Sequence, residues 1–167
     1  MSRLIWTLPA LAAITLVATS GLEAQNDEER AVIAAAEDVF DAMEDLDDEA
    51  FRNSMVPEGF LLSVGLGTTR RTTRDQFASN LARQTRPMIE RMWDPEVRID
   101  GPVATLWTAY DFYRGAEFSH CGTDAFQLVE TAEGWKVVVL SYTSQTPPSC
   151  SRHPEGPPSR PGPPGSQ

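Results

Sequence analysis

The chain has 167 residues, of which 41% are hydrophobic, and this is enough apolar material for the core of one domain. Its formal net charge is -10 and its pI is about 4.6. Because nucleic acids expose an anionic phosphate backbone, so acidic a chain is not expected to bind them. A basic patch formed by Arg70, Arg71 and Arg74 is too small to reverse that expectation.

The first 24 residues have the pattern of a secretory signal peptide. Arg3 supplies a positive charge, and residues 4–17 form an apolar run that is shorter than a transmembrane helix needs. Small residues follow, and cleavage is expected after Ala24, with Ser20 as the alternative position. The pattern predicts a periplasmic or secreted protein whose mature form has no membrane segment. An uncleaved membrane anchor is the other interpretation.

Three helices are predicted after the signal peptide. Asn26 is expected to cap a helix of roughly twenty residues, because apolar residues recur every three or four positions after it. A second, short helix is predicted to be capped by Asp48. A third is predicted to begin after Thr73, since Gln76 completes a capping box, and to end before Pro87.

The remaining residues predict strands. Residues 60–64 are expected to form one short strand, followed by a loop at residues 65–69. Further along, runs rich in β-branched and aromatic residues alternate with short breaks that contain glycine, which predicts an antiparallel meander. Pro95 cannot donate to a ladder, so it should mark a bulge or an edge strand. The predicted meander strands are 90–100, 103–113, 118–131 and 135–143.

The hairpin turns predict which side chains share a face of this meander. If the second hairpin turns at residues 115–116, Asp111 faces His120 and Trp107 faces Asp124. One face then has an apolar floor with a His/Asp cluster at one end. Its predicted members are Trp107, Asp111, His120, Asp124, Phe126, Leu128, Val137 and Val139.

The two cysteines fit an oxidising compartment. In the same register Cys121 lies opposite Thr146, so that Cys150 can curl back and form a disulfide with it. Two separate reduced thiols are the alternative. The chain has only two histidines, His120 and His153, and these do not combine with the cysteines into a metal-ligand spacing, so no metal site is predicted.

The tail differs in composition from the rest of the chain. Residues 144–167 contain eight of the thirteen prolines and almost no apolar residues, so they are predicted to be disordered. The expected organisation is therefore a signal peptide at 1–24, one domain at 25–143 and a disordered tail at 144–167.

Four short segments carry a resemblance to a known family: ERMWDP at 90–95, YDFY at 110–113, SHCG at 119–122 and GWKV at 134–137. Together with the order of the elements, they resemble the nuclear transport factor 2-like superfamily (SnoaL-like, cystatin-like), and in particular its branch labelled "putative lumazine-binding". The resemblance covers about residues 28–143. It implies an α+β cone in which N-terminal helices pack on a strongly bent antiparallel sheet, a four-strand meander plus one short strand, around an open pocket.

The superfamily contains isomerases, dehydratases, cyclases and epoxide hydrolases as well as many domains without catalysis, so the resemblance implies a pocket and not a reaction. Some members are similar in using a carboxylate base or a His/Asp pair for proton transfer. The candidate catalytic residues on this interpretation are His120, Asp124 and Asp111. The candidate ligand-binding residues are Trp107, Tyr110, Arg91 and Phe126.

Each candidate also has a structural interpretation. His120 can bond to the backbone at a strand end, Arg91 can pair with Glu90 or Asp94, and the aromatic rings can belong to the core. Asp124 has to be either a pocket residue or a residue on the wet face, because an unpaired carboxylate is costly to bury.

Three functions are consistent with these observations. The first is binding of a small organic molecule, and the second is proton transfer by His120 with Asp124 or Asp111. The third is a homodimer or other interaction domain that uses the outer face of the sheet. That face is predicted to carry Leu106, Phe112, Val138, Leu140 and Tyr142. No nucleotide, metal or haem motif is present, so no cofactor is predicted.

Overall fold

The computed structural model describes residues 14–158, with side chains from residue 26 onward. The helices and strands, in chain order, are α1 (Ile14–Asp45), α2 (Asp48–Asn53), β1 (Met55–Gly65), β2 (Thr68–Thr73), α3 (Arg74–Leu81), β3 (Met88–Asp100), β4 (Val103–Arg114), β5 (Glu117–Thr131) and β6 (Gly134–Thr143). Residues 1–13 of the predicted signal peptide lie outside this part of the chain. None of the described helices is long and apolar enough to cross a membrane.

Side-chain caps set the starts of α2 and α3. The Asp47 carboxylate accepts hydrogen bonds from the backbone N–H groups of Glu49 and Ala50, so the cap of α2 lies one residue before the predicted Asp48. The capping box of Thr73 and Gln76 at the start of α3 is confirmed. These caps satisfy N–H groups that have no partner within the first turn of a helix.

The strands form one six-stranded mixed sheet in the order β2-β1-β6-β5-β4-β3. β1 runs parallel to β6, and every other neighbouring pair is antiparallel. The α+β fold is confirmed, and each meander strand begins and ends within two residues of its predicted limits. Residues 65–69 are not one loop, because the threonine-rich segment from Thr68 forms β2 and pairs with β1.

Two irregularities bend the meander. β3 is an edge strand, and its register with β4 shifts between Trp93 and Glu96, where Asp94 has a φ of 52°. Both expectations for Pro95 are therefore confirmed. The second irregularity lies just after the turn at Gly115, whose φ is 61°.

At this second irregularity the predicted register holds at first and is then lost. Tyr113 pairs with Phe118 as the turn predicts, but Ser119 is an extra residue, so that Phe112 rather than Asp111 lies opposite His120. Such a bulge turns every following side chain to the other face. The predicted assignment of β4 side chains to faces was therefore wrong.

The inner face of the sheet, which packs on the helices, carries Leu106, Thr108, Tyr110 and Phe112 of β4 with His120, Asp124 and Phe126 of β5. Trp107 and Asp111 lie on the outer face instead. Most of the side chains predicted for an outer dimer surface are likewise internal. Leu106, Phe112 and Leu140 are buried in the core, and Tyr142 packs against it.

The core lies between α1 and the inner face. The predicted apolar stripe of α1 is buried there, with Val32, Ala36 and Val39 at most 1% exposed. The ring of Phe40 meets that of Phe126 edge to face, with centroids 5.8 Å apart. α1 therefore closes one side of the cone.

Residues 144–158, the described part of the tail, lie along the outer face of the sheet. Cys121 and Cys150 form a disulfide with a Cα–Cα distance of 5.7 Å. The backbone groups of Gln145 and Cys121 exchange hydrogen bonds of 2.9 and 3.1 Å. The covalent link and the sheet supply the contacts of these residues, which have no core of their own. Residues 159–167 lie outside the described part of the chain.

Candidate functional site

A cavity of about 150 Å³ opens between the inner face of the sheet and the helices. Six apolar side chains line it: Met43, Leu61, Phe77, Met88, Phe112 and Leu140. Five polar side chains complete the lining: Arg70, Glu90, Arg114, His120 and Tyr142. The cavity thus combines an apolar surface with several convergent polar groups, and this combination is typical of a small-molecule site.

Strand register places an acid and an imidazole on either side of one aromatic ring. Glu90 of β3 and His120 of β5 both pair with Phe112 of β4, and all three side chains point to the inner face. Because neighbouring strands lie about 4.8 Å apart, the backbones of Glu90 and His120 are about 10 Å apart. A molecule lying over Phe112 would contact both.

The Glu90 carboxyl group interacts electrostatically with that of Asp124, which is completely buried. No N–H or O–H group of the described residues donates to either oxygen of Asp124. Two neighbouring carboxylates in a buried site repel each other, so at least one of the two groups keeps a proton.

Burial is the main reason why both carboxyl groups hold protons more tightly than usual. It raises the pKa of Glu90 to about 7, to which the charge of Asp111 adds. It also raises the pKa of Asp124 well above its ordinary value, and the neighbouring Glu90 adds to the effect. The pair therefore changes its charge near neutral pH, where proton exchange with a ligand is most effective.

His120 is neutral in this setting. Burial lowers its pKa, and the nearby positive charge of Arg114 lowers it further. The Nδ1 atom of His120 lies 3.0 Å from the hydroxyl oxygen of Ser119, the extra residue of the bulge. A neutral imidazole can offer one donor or one acceptor to a molecule in the cavity.

Asp111 and Arg91 lie on the other side of the sheet and do not reach the cavity. The Arg91 guanidinium donates two hydrogen bonds of 3.0 and 2.7 Å to the Asp111 carboxylate. The tail completes this pair, because the backbone N–H of His153 donates to Asp111 and Arg91 donates to the carbonyl oxygen of Gly156. These groups hold the tail against the sheet.

The predicted aromatic ligand contacts also lie outside the cavity. The Trp107 side chain is on the outer face and is 58% exposed, whereas Phe126 is part of the core. Tyr110 is buried, and its hydroxyl donates to the carbonyl oxygen of Thr143 at 2.6 Å. Gly122 permits this approach of β6, because a Cβ atom at Gly122 would lie 2.2 Å from the same carbonyl oxygen.

A family model described as "putative lumazine-binding" matches residues 27–143. The chain belongs to this family, within the nuclear transport factor 2-like superfamily. No curated protein sequence matches it.

Solved structures of the superfamily share the fold at low sequence identity. A protein of unknown function from Mycobacterium tuberculosis is 15% identical with a TM-score of 0.66, and the match covers 77% of this chain and 78% of that one. A putative dehydratase from Streptomyces avermitilis is 17% identical with a TM-score of 0.58, covering 71% and 97%. A cystatin-like protein from Novosphingobium aromaticivorans is 20% identical with a TM-score of 0.59, covering 81% and 92%.

Of the predicted site residues, His120 lines the cavity, and Asp124 is buried on the same face of the sheet without lining it. The sequence interpretation missed Glu90, Arg114 and Tyr142, and treated Glu90 only as a partner of Arg91. A signal for Glu90 was present, because it stands between Met88 and Met92 at the period-two spacing of an inner strand face. Within the described residues, no group of three or more His, Cys, Asp or Glu side chains is arranged to hold a metal ion.

Proposed function

We propose that the chain binds a small organic molecule in the cavity above Glu90 and Asp124. The observation that carries this proposal is the Glu90 carboxyl group, which lines the cavity and receives no hydrogen bond from an N–H group of the described residues. A largely buried carboxyl group without a donor is costly, so it is best explained by a ligand that donates to Glu90. The family description supports the same kind of function.

The size of the cavity and the side chains that line it indicate the size and the hydrogen-bonding groups of the ligand. An apolar cavity of about 150 Å³ can hold a benzene ring, so one ring fits inside and a second would extend toward the mouth. Glu90 would accept a hydrogen bond from a ring N–H or O–H group, while Tyr142, Arg114 or His120 would donate to a carbonyl oxygen. A pteridinedione such as lumazine has both kinds of group on its edge.

Isothermal titration calorimetry with lumazine tests this proposal. Leu61 lines the cavity, so a Leu61→Phe change should fill part of it and weaken binding by at least roughly tenfold. The matched control is Trp107→Ser on the exposed outer face, which should leave the affinity within about twofold. Native mass spectrometry of the protein purified from its own cells would reveal any other occupant. A chain that binds neither lumazine nor a cellular molecule overturns the proposal.

Proton transfer is a second candidate, favoured by the pKa of about 7 at Glu90. Glu90 would act as the base on a ligand C–H group, and Asp124 would hold the proton that stabilises the Glu90 carboxylate. The bound compound, incubated in D2O, should then gain deuterium at a carbon atom. Glu90→Gln should abolish this exchange while binding persists. Exchange at the same rate in the variant would exclude Glu90 as the base.

A periplasmic or secreted location is part of the same proposal, because structural disulfides such as Cys121–Cys150 persist in oxidising compartments. A homodimer stays a prediction. Its interface would have to differ from the one first expected, since most of those side chains are internal and the tail lies along the outer face.

A further inference from the structure

Arginines without carboxylate partners gather at the mouth of the cavity. Arg70 and Arg114 line the cavity, and Arg70 also lines a neighbouring groove together with Arg71 and Arg83. Among the described residues, no carboxylate lies within ion-pair distance of any of these four side chains. In a chain with a net charge of -10, a cluster of arginines without carboxylate partners calls for a partner from outside the chain.

The chain itself offers little to neutralise this charge. Asp75 lines the groove, but its carboxylate already contacts Arg74 at 3.0 Å and Arg52 at 3.7 Å. Inside the cavity, the Glu90 carboxyl group interacts with that of Asp124 and forms no ion pair with an arginine. Arg83 donates to the side-chain oxygen of Asn80, and Arg114 donates to that of Gln84 at 3.5 Å, but these neutral partners leave the charge of both arginines available to a ligand.

Two of these arginines are held in place by aromatic rings. The guanidinium carbon of Arg71 lies 4.3 Å from the ring centroid of Phe60, and that of Arg114 lies 5.7 Å from that of Phe112. Stacking restricts a guanidinium without using its N–H groups, so most of its donors can bind a planar anion. A carboxylate matches this donor geometry and can accept two parallel hydrogen bonds.

Asp124 and the arginines lie at different depths. Along the inner face of β4, Thr108 pairs with the buried Asp124, and Arg114 ends the strand at the exposed hairpin. Six residues of extended strand separate these positions by about 20 Å, whereas Glu90 pairs with Phe112, only two residues or about 7 Å from Arg114. An anionic substituent bound by Arg114 would therefore lie far from Asp124 but near Glu90, whose raised pKa allows it to hold a proton.

We propose that the ligand of this cavity is a ring compound that carries a carboxylate, with the ring over Phe112 and the carboxylate bound by Arg70 and Arg114. The inference rests on the proposed binding function and adds the chemical class of the ligand. The groove beside Arg70, with Arg71 and Arg83, extends the same positive surface for a longer acidic substituent.

The test compares two compounds with the same ring, lumazine and 6-carboxylumazine, by isothermal titration calorimetry of the full chain. The carboxylate should tighten binding at least roughly tenfold, because charge-assisted hydrogen bonds to two guanidinium groups are added. This advantage should shrink as NaCl is raised, since the mouth is exposed to solvent. In the double variant Arg70→Gln and Arg114→Gln, both compounds should bind with affinities within about twofold of each other.

Arg98→Gln is the matched control, because Arg98 is an exposed arginine without an ion pair on the same sheet, away from the cavity. It should keep the full advantage of the carboxylate. If lumazine binds and the carboxylate adds nothing, or if the double variant keeps the advantage, the carboxylate site is overturned while the cavity proposal stands. If neither compound binds, the lumazine-like ligand is excluded and this inference falls with it.

Discussion

Glu90 and Arg91 are consecutive residues of β3, yet they belong to two acid sites of opposite character. Arg91 faces outward and meets the buried Asp111, whose carboxylate receives two hydrogen bonds from the guanidinium and one from the tail. Glu90 faces inward and meets the buried Asp124, to which no described N–H or O–H group donates. Both aspartates are 0% exposed, so burial alone does not distinguish the two sites.

The difference lies in how far each carboxylate is satisfied. A buried ion pair with its full set of hydrogen bonds is a stable structural element, and here it fixes the tail to the sheet. A carboxyl pair that has to share a proton within a cavity is unfavourable for folding, and such groups cluster at binding and catalytic sites. The outer pair is therefore the structural site and the inner pair is the candidate functional one.

Among the predicted changes, removal of the Asp111 charge on the outer face should lower the free energy of unfolding the most. Asp111→Asn leaves the Arg91 guanidinium, which is only 20% exposed, without its carboxylate. Loss of one partner of a buried ion pair costs about 3–5 kcal/mol, so the urea midpoint should fall by the corresponding amount. Hydrogen exchange of residues 144–158 should also rise, because the tail loses one of its anchors.

Asp111→Asn should leave the cavity on the inner face unchanged. Lumazine binding should stay within about twofold, since Asp111 lies on the far side of the sheet from the cavity. Asp100→Asn, at the exposed end of β3, is the control for loss of a carboxylate and should change stability by less than about 0.5 kcal/mol. A loss of ligand binding in folded Asp111→Asn protein would contradict the division into a structural and a functional face.

Much of the fold could be predicted from the sequence because its signals are local. Strand limits follow from β-branched runs and turn residues, and the capping box at Thr73 requires only four consecutive residues. The β1/β2 hairpin was missed because its turn, Leu66 and Gly67, was absorbed into a longer apparent loop. The contacts of residues 144–158 with the sheet depend on a disulfide and on the Arg91–Asp111 pair, which composition does not reveal.

The site was less predictable because it depends on a single bulge. With Ser119 paired, Asp111 and Trp107 would have faced inward as expected. With Ser119 extra, they face outward, and His120 keeps its inner position opposite Phe112. Nothing in the local sequence specifies this bulge, since Ser119 is an ordinary strand residue. The partnership of Glu90 with Asp124 is harder still, because their strands are separated by β4.

Glu90 of the inner pair should make the free energy of unfolding depend on pH. This effect should be smaller than that of Asp111→Asn. Burial raises the pKa of Glu90 from 4.5 to about 7, so the folded chain keeps a proton that the unfolded chain loses between these values. Stability from this group is fully present below about pH 4.5 and is lost as the pH rises through about 7. Over the full pH range the loss is about 3–4 kcal/mol, from about 1.4 kcal/mol per pH unit, and about 2–3 kcal/mol of it falls between pH 5 and pH 8.

Glu90→Gln should remove this loss, because glutamine has no proton to release. The free energy of unfolding should be measured with urea at pH 5 and at pH 8. Relative to the wild type, that of the variant should rise with pH and should be higher at pH 8 by up to about 2 kcal/mol. Glu96→Gln, an exposed position on the same strand, should follow the wild-type curve. If Glu90→Gln also follows the wild-type curve, the proton is not stored at Glu90. Glu90 and Asp124 would then not lower the free energy of unfolding at high pH. Nothing would distinguish them from the structural pair of Asp111 and Arg91.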